Sequence, residues 1–129
     1  MTHEFAVRVY YEDTDLAGFV YYANYFKFIE RARSEWVRSL GIDQAAMKAN
    51  DGVVFAVRRV EADYLMPANY DDELIVCTVV ERQTGARLVL KQTVLRDDVP
   101  LFEALVTIVA IASNGAAARL PANFRRDQP

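Results

Sequence analysis

Three carboxylates, Glu12, Asp13 and Asp15, crowd one short stretch of this chain. An aromatic-rich segment, Val20-Tyr21-Tyr22-Ala23-Asn24-Tyr25, begins a few residues later, with Gly18 between the two. If the second segment opens a helix, its first N–H groups are unpaired and carry positive dipole character. Such a helix start can hold a developing oxyanion. An acidic side chain a few residues upstream can fold back towards the same place, and the pair would suit acyl transfer without histidine. The same residue types also serve as turn and capping groups, their commoner role before a helix. Spacing alone does not choose Asp15 over Glu12 or Asp13.

The rest of the inventory narrows the chemistry. His3 is the only histidine and Cys77 the only cysteine. One of each cannot build an ordinary structural zinc site, and a Ser-His-Asp or Cys-His mechanism would have to use His3, near a terminus expected to fray. No cofactor is expected. Cys77 sits in the apolar run Leu74-Ile75-Val76-Cys77, where a buried, inert thiol is the ordinary reading. Net charge is −3 with both signs interspersed, so no basic stripe points to nucleic acid. There is no apolar signal core at the start and no window near the ~20 apolar residues that span a bilayer, so a cytoplasmic protein is expected.

These residues need elements to hold them. Phe5, Val7, Val9 and Tyr11 alternate with other residues, which predicts a first strand ending at the acidic turn. From about Asn24 to Leu40, Tyr25, Ile29, Ala32, Trp36 and Leu40 recur at helical spacing, with Asn24 as N-cap and Gly41 as C′ residue. Four strands follow, over Val53 to Tyr64, Glu73 to Arg82, Arg87 to Arg96 and Leu101 to Ala112. The 114–129 segment reads as a loose tail. One long helix covered by about five strands, in the order β, α, β, β, β, β, is α+β, a single domain over 1–129. Several strands are apolar on both faces, so a second subunit is expected to cover part of the sheet.

The motif Tyr11, Asp13, Thr14, Asp15, Gly18, Val20, Tyr21, Tyr25, followed by Glu30-Arg31-Ala32-Arg33, resembles the 4-hydroxybenzoyl-CoA thioesterase family of hotdog proteins. It is most similar to the Tol–Pal-associated (YbgC-type) branch. The likeness continues through Phe55-Ala56-Val57-Arg58, the Tyr64 to Ala68 segment ending in Pro67-Ala68, and Asp71-Asp72. It implies a hotdog fold, an antiparallel sheet wrapped around a central helix, and hydrolysis of an acyl thioester to a carboxylic acid and free CoA. An acyl carrier protein thioester is a second possible substrate. Asp15 takes the place of the catalytic aspartate, nucleophile or general base, and the Tyr22 N–H that of the oxyanion donor. Gly18, Val20 and Tyr25 are expected to contact substrate. Many members of the branch carry His where this chain has Tyr22. The related hydroxybenzoyl enzyme has a basic loop where this chain has Thr84-Gly85-Ala86, leaving Arg82 and Arg87 as candidates for the CoA phosphates. A homodimer, or a tetramer of dimers, with active sites at the subunit interface is implied as well. A non-catalytic acyl-thioester binding module of the same fold is the competing reading. A hotdog hydratase would need a positioned histidine, which His3 is badly placed to supply.

Overall fold

The computed structural model describes residues 2–122 and 124. Its elements run β1 (Thr2–Arg8), a 3-10 turn (Tyr11–Asp13), α1 (Asn24–Ser39), α2 (Gln44–Asp51), β2 (Val54–Tyr64), β3 (Glu73–Gln83), β4 (Arg87–Arg96), β5 (Val99–Ile111) and β6 (Ala117–Ala118). The strands form one antiparallel sheet in the order β1-β3-β4-β5-β2, with β6 added beside β5. Strands β2 to β5 begin and end within two residues of the expected bounds. The β4–β5 turn is tight because Asp97 and Asp98 both accept positive φ, the geometry that matches the twist of a two-residue hairpin.

Helix α1 lies on the inner face of this sheet. Tyr25, Phe28, Ile29, Ala32, Trp36 and Val37 form its buried stripe. They meet Leu74 and Val76 of β3, Leu88, Leu90 and Val94 of β4, and Phe102 and Val106 of β5 in one core. Among the described residues, two buried polar side chains interrupt it, Thr78 and Gln92. Gln92 donates to the Ile29 carbonyl at 2.9 Å and to Thr78 Oγ1 at 3.0 Å, and accepts from Arg33 at 2.9 Å. A buried amide must be satisfied in this way, and its partners fix the position of α1 over the sheet. Gly41 takes positive φ just past the helix, as expected of a C′ residue.

Five expectations are corrected. Strand β1 is Thr2–Arg8, shifted towards the N-terminus from Phe5–Tyr11. The Asp13 carboxylate takes the Tyr10 N–H at 2.8 Å and turns the chain into the 3-10 turn, so alternation continues in sequence after the ladder has ended. His3 is therefore not frayed; it pairs with Thr78 within β1. Ala23, not Asn24, is the helix N-cap residue. Cys77 is half-buried beside Glu4, and burial first, then Glu4, pushes its thiol pKa up. The segment after Ser113 is not loose over residues 114–122 and 124. Strand β6 pairs with β5, the Leu120 N–H donates to the Gly85 carbonyl, and Phe124 stacks on Trp36 and meets Phe55 at a tilt. Residues 123 and 125–129 lie outside the described residues. Helix α2 was not expected, although Asp43 accepts from the Ala46 N–H at its start and Gly52 ends it with positive φ.

Candidate active site

The acidic stretch folds into a short hairpin. The Thr14–Val20 bridge, the Asp15 N–H to the Phe19 carbonyl and the Gly18 N–H to the Asp15 carbonyl place Asp15 to Gly18 at its tip. Gly18 takes φ +84, and a Cβ there would meet nothing within 4 Å. The requirement for glycine is therefore one of backbone conformation, and Gly18→Ala is expected to cost about 1 kcal/mol. Denaturant unfolding checks this, and an unchanged midpoint would contradict it.

The three carboxylates separate in this hairpin. Asp13 is bonded locally, its Oδ2 accepting from the Tyr10 N–H and its backbone carbonyl accepting from both the Tyr21 N–H and the Asn24 side-chain amide, while its Oδ1 has no donor among the described residues. Asn24 thus anchors the helix start to the acidic turn. Glu12 is exposed on the 3-10 turn. Asp15 accepts from the Ala17 N–H at 3.0 Å and the Phe19 N–H at 3.3 Å, both on Oδ1. Its Oδ2 has no donor among the described residues. One oxygen thus orients the carboxylate, and the other is open to a water or an electrophile.

The hairpin's return strand runs directly into α1. The N-cap, Ala23, has no side-chain acceptor to offer, so the helix start is uncapped. The Tyr22 N–H, just before it, has no acceptor among the described residues, as an oxyanion donor requires. The connection from β2 to β3 braces this region from outside. The Tyr64 hydroxyl donates to the Tyr22 carbonyl, the Val20 N–H to the Ala68 carbonyl, and the Tyr70 N–H to the Gly18 carbonyl. Asp72 secures the same connection by accepting from the Asn69 N–H and from Arg96 at 2.6 Å.

Not every expected site residue meets at this point. Val20 and Tyr25 are buried in the core, and the Tyr25 hydroxyl accepts from the Ala68 N–H. They support the hairpin and do not line an open surface. Burial, the largest cause, raises the Tyr25 pKa. Arg82 pairs opposite Val89, and Arg87 opposite Val109, which puts both on the outer face away from α1. They stand at the Val109 end of the sheet, while Tyr64 and Phe102 mark the site end. At about 3.3 Å per residue, some 20 Å separates these ends within one chain. Arg58 is the extra residue of a bulge in β2, and Arg59 pairs with Glu61 on the outer face. A cleft of about 220 Å³ lined by Glu30, Arg33, Ser34, Phe55, Val57 and Phe124 includes neither Asp15 nor Tyr22. Among the described residues, no group of three or more His, Cys, Asp or Glu could hold a metal, and no helix is long and apolar enough to cross a membrane. Tyr64 falls within the segment of family likeness, which gave it no role; its contact with Tyr22, 42 positions away, is seen only in the fold.

An antiparallel sheet wrapped around α1 is an α+β hotdog architecture. The chain belongs to the thioesterase superfamily, whose family model matches residues 17–103. The acyl-CoA thioesterase YbgC of Haemophilus influenzae is 39% identical over 107 residues, 83% of this chain and 79% of the relative. A solved structure named as a probable thioesterase from Bartonella henselae superposes with TM-score 0.89 at 36% identity, covering 94% of this chain and 100% of the other. A 4-hydroxybenzoyl-CoA thioesterase structure, at 21% identity and TM-score 0.90, covers 97% of this chain and 96% of its own, and shares the fold.

Proposed function

We propose that the protein hydrolyses acyl-CoA thioesters, with Asp15 as the catalytic carboxylate and the Tyr22 N–H as oxyanion donor. The observation that carries this is the asymmetric bonding of Asp15: Oδ1 is held by two backbone N–H groups and Oδ2 is open. As general base, Asp15 takes a proton from water while the water oxygen bonds to the thioester carbon. The carbonyl oxygen becomes an oxyanion facing the helix start. The C–S bond then breaks, the carboxylic acid leaves, and the CoA thiolate takes the proton back from Asp15. As nucleophile, Oδ2 attacks the same carbon and expels CoA, and water hydrolyses the resulting anhydride. Neither route uses a cofactor. A cytoplasmic setting fits the single free cysteine, Cys77, which a reducing compartment keeps as a thiol.

We also infer that the working unit is a homodimer or a tetramer of dimers. Strand β2 pairs with β5 alone and is a sheet edge, yet it exposes Val54, Val57 and Val60. An apolar open edge is a template for pairing with another chain. Leu16, Phe19, Tyr21, Tyr22 and Tyr70 are exposed around Asp15, an apolar surround that a partner subunit or an acyl group would cover. In this reading Arg82 and Arg87 meet CoA phosphates bound at the site of a partner subunit.

Purified protein is expected to release thiol from acyl-CoAs. A panel of short, long and aromatic acyl-CoAs, with an acyl carrier protein thioester beside them, ranks the substrates. Binding without any thiol release would establish an acyl-thioester binding module instead.

A further inference from the structure

We propose that Tyr64 is a positioning residue of this site, its phenol fixing the Tyr22–Ala23 peptide so that the Ala23 N–H stands as a second oxyanion donor beside the Tyr22 N–H; this rests on the assignment of Asp15 and Tyr22 above. Tyr64 is the last residue of β2, on the inner face opposite Phe102. Its ring meets Phe102 edge-on at 5.1 Å, Tyr25 at 5.6 Å and Tyr22 at 6.3 Å. Those contacts fix the direction of the hydroxyl, which donates to the Tyr22 carbonyl at 2.9 Å.

A peptide group is planar, so fixing a carbonyl fixes the N–H of the next residue. The Tyr21 carbonyl accepts from the Asn24 N–H at 2.8 Å, which sets the Tyr22 N–H. The Tyr22 carbonyl accepts from Tyr64, which sets the Ala23 N–H. Both N–H groups at the uncapped helix start are thus oriented through their neighbouring carbonyls. Backbone does this for one, and a side chain from a distant strand does it for the other. Donation to a carbonyl also polarises its peptide and strengthens the N–H on the other side. Burial first, then Tyr22 and Tyr25, raise the Tyr64 pKa, which keeps the phenol protonated and donating through neutral pH.

An interaction that matters mainly in the transition state lowers kcat when it is removed and leaves KM in place. Tyr64→Phe keeps the ring contacts and removes only the hydrogen bond. The expected result is a fall in kcat of roughly tenfold, as for loss of one hydrogen bond, with KM within about twofold and thermal midpoint little changed. Difluorotyrosine at position 64 has a more acidic phenol, so kcat is expected to fall at lower pH than in the native enzyme. A Tyr64→Phe enzyme with native kcat overturns the proposal. So does a loss of kcat that comes with an equal loss of thermal stability while the difluorotyrosine enzyme keeps the native pH profile, because that pattern belongs to a merely structural tyrosine. If Tyr64→Phe does not fold, the difluorotyrosine profile decides alone. Turnover abolished by Asp15→Asn but unmoved by Tyr64→Phe removes the role of Tyr64 and leaves the thioesterase reading standing; no thiol release by native protein removes both.

Discussion

Asp15→Asn is expected to leave a folded protein that has lost thiol release by about 10²–10⁴-fold, the range for removing a general base. The fold survives because asparagine keeps the oxygen that the hairpin needs. An Asn Oδ1 accepts from the Ala17 and Phe19 N–H groups as Asp15 Oδ1 does. What disappears is the second, open oxygen with its negative charge and its basicity. An amide nitrogen in that place neither takes a proton from water nor attacks a carbonyl. Circular dichroism and thermal unfolding should match the native protein while turnover collapses. Native turnover by the variant would remove Asp15 from the mechanism. Asp13→Asn is a useful contrast, since Asp13 uses its carboxylate to accept from the Tyr10 N–H and an amide oxygen serves that purpose too.

The largest loss of stability is expected from Phe102→Ala. Phe102 is fully buried, stacked on Tyr25 at 4.9 Å with ring planes 8° apart, and met edge-on by Phe26 and Tyr64. Truncating such a ring costs about 3–5 kcal/mol, transfer and cavity together. Native domains have only ~5–15 kcal/mol to lose. For a chain of this size the thermal midpoint should fall by roughly 10–20 °C. Activity should fall as well at temperatures where the variant is still folded, because the rings of Tyr25 and Tyr64 rest on Phe102 and their hydroxyls hold Ala68 and Tyr22. A drop of only a few degrees would mean that the neighbouring rings collapse into the space.

The long strands were legible because period two runs through them without interruption, as in Arg87 to Arg96, where Leu88, Leu90, Gln92 and Val94 all face α1. Helix α1 was legible from its apolar stripe. Helix α2 was not, since it buries no residue and so shows no stripe; only Asp43 and Gly52 marked its ends. The tail misled for the opposite reason. Its small and charged residues hid Leu120 and Phe124, two isolated side chains that close the end of the core. At the site, residue types alone left Glu12, Asp13 and Asp15 equivalent, and the family motif pointed to Asp15. Each of Asp13 and Asp15 has one carboxylate oxygen held by backbone N–H and one without a donor, and what separates them is place, Asp15 exposed at the hairpin tip and Asp13 half-buried in the turn. Tyr64 and Tyr22 touch across a non-local distance, and no local period announces such a pair.

The connection between β2 and β3 bonds to the hairpin at Gly18 and at Val20 and to α1 through Tyr25, and the end of β2 bonds to Tyr22. A hairpin stapled at so many points does not act as a lid. To swing open it would have to break these bonds together, along with the Arg96–Asp72 pair that secures the connection. Admission of a bulky acyl group then falls to the exposed side chains around Asp15, such as Leu16, Tyr22 and Tyr70. Exposed side chains change rotamer in picoseconds to nanoseconds, whereas lids open in microseconds or longer. On the proposed assignment, substrate entry past this hairpin would need side-chain rotation and no swing of the backbone.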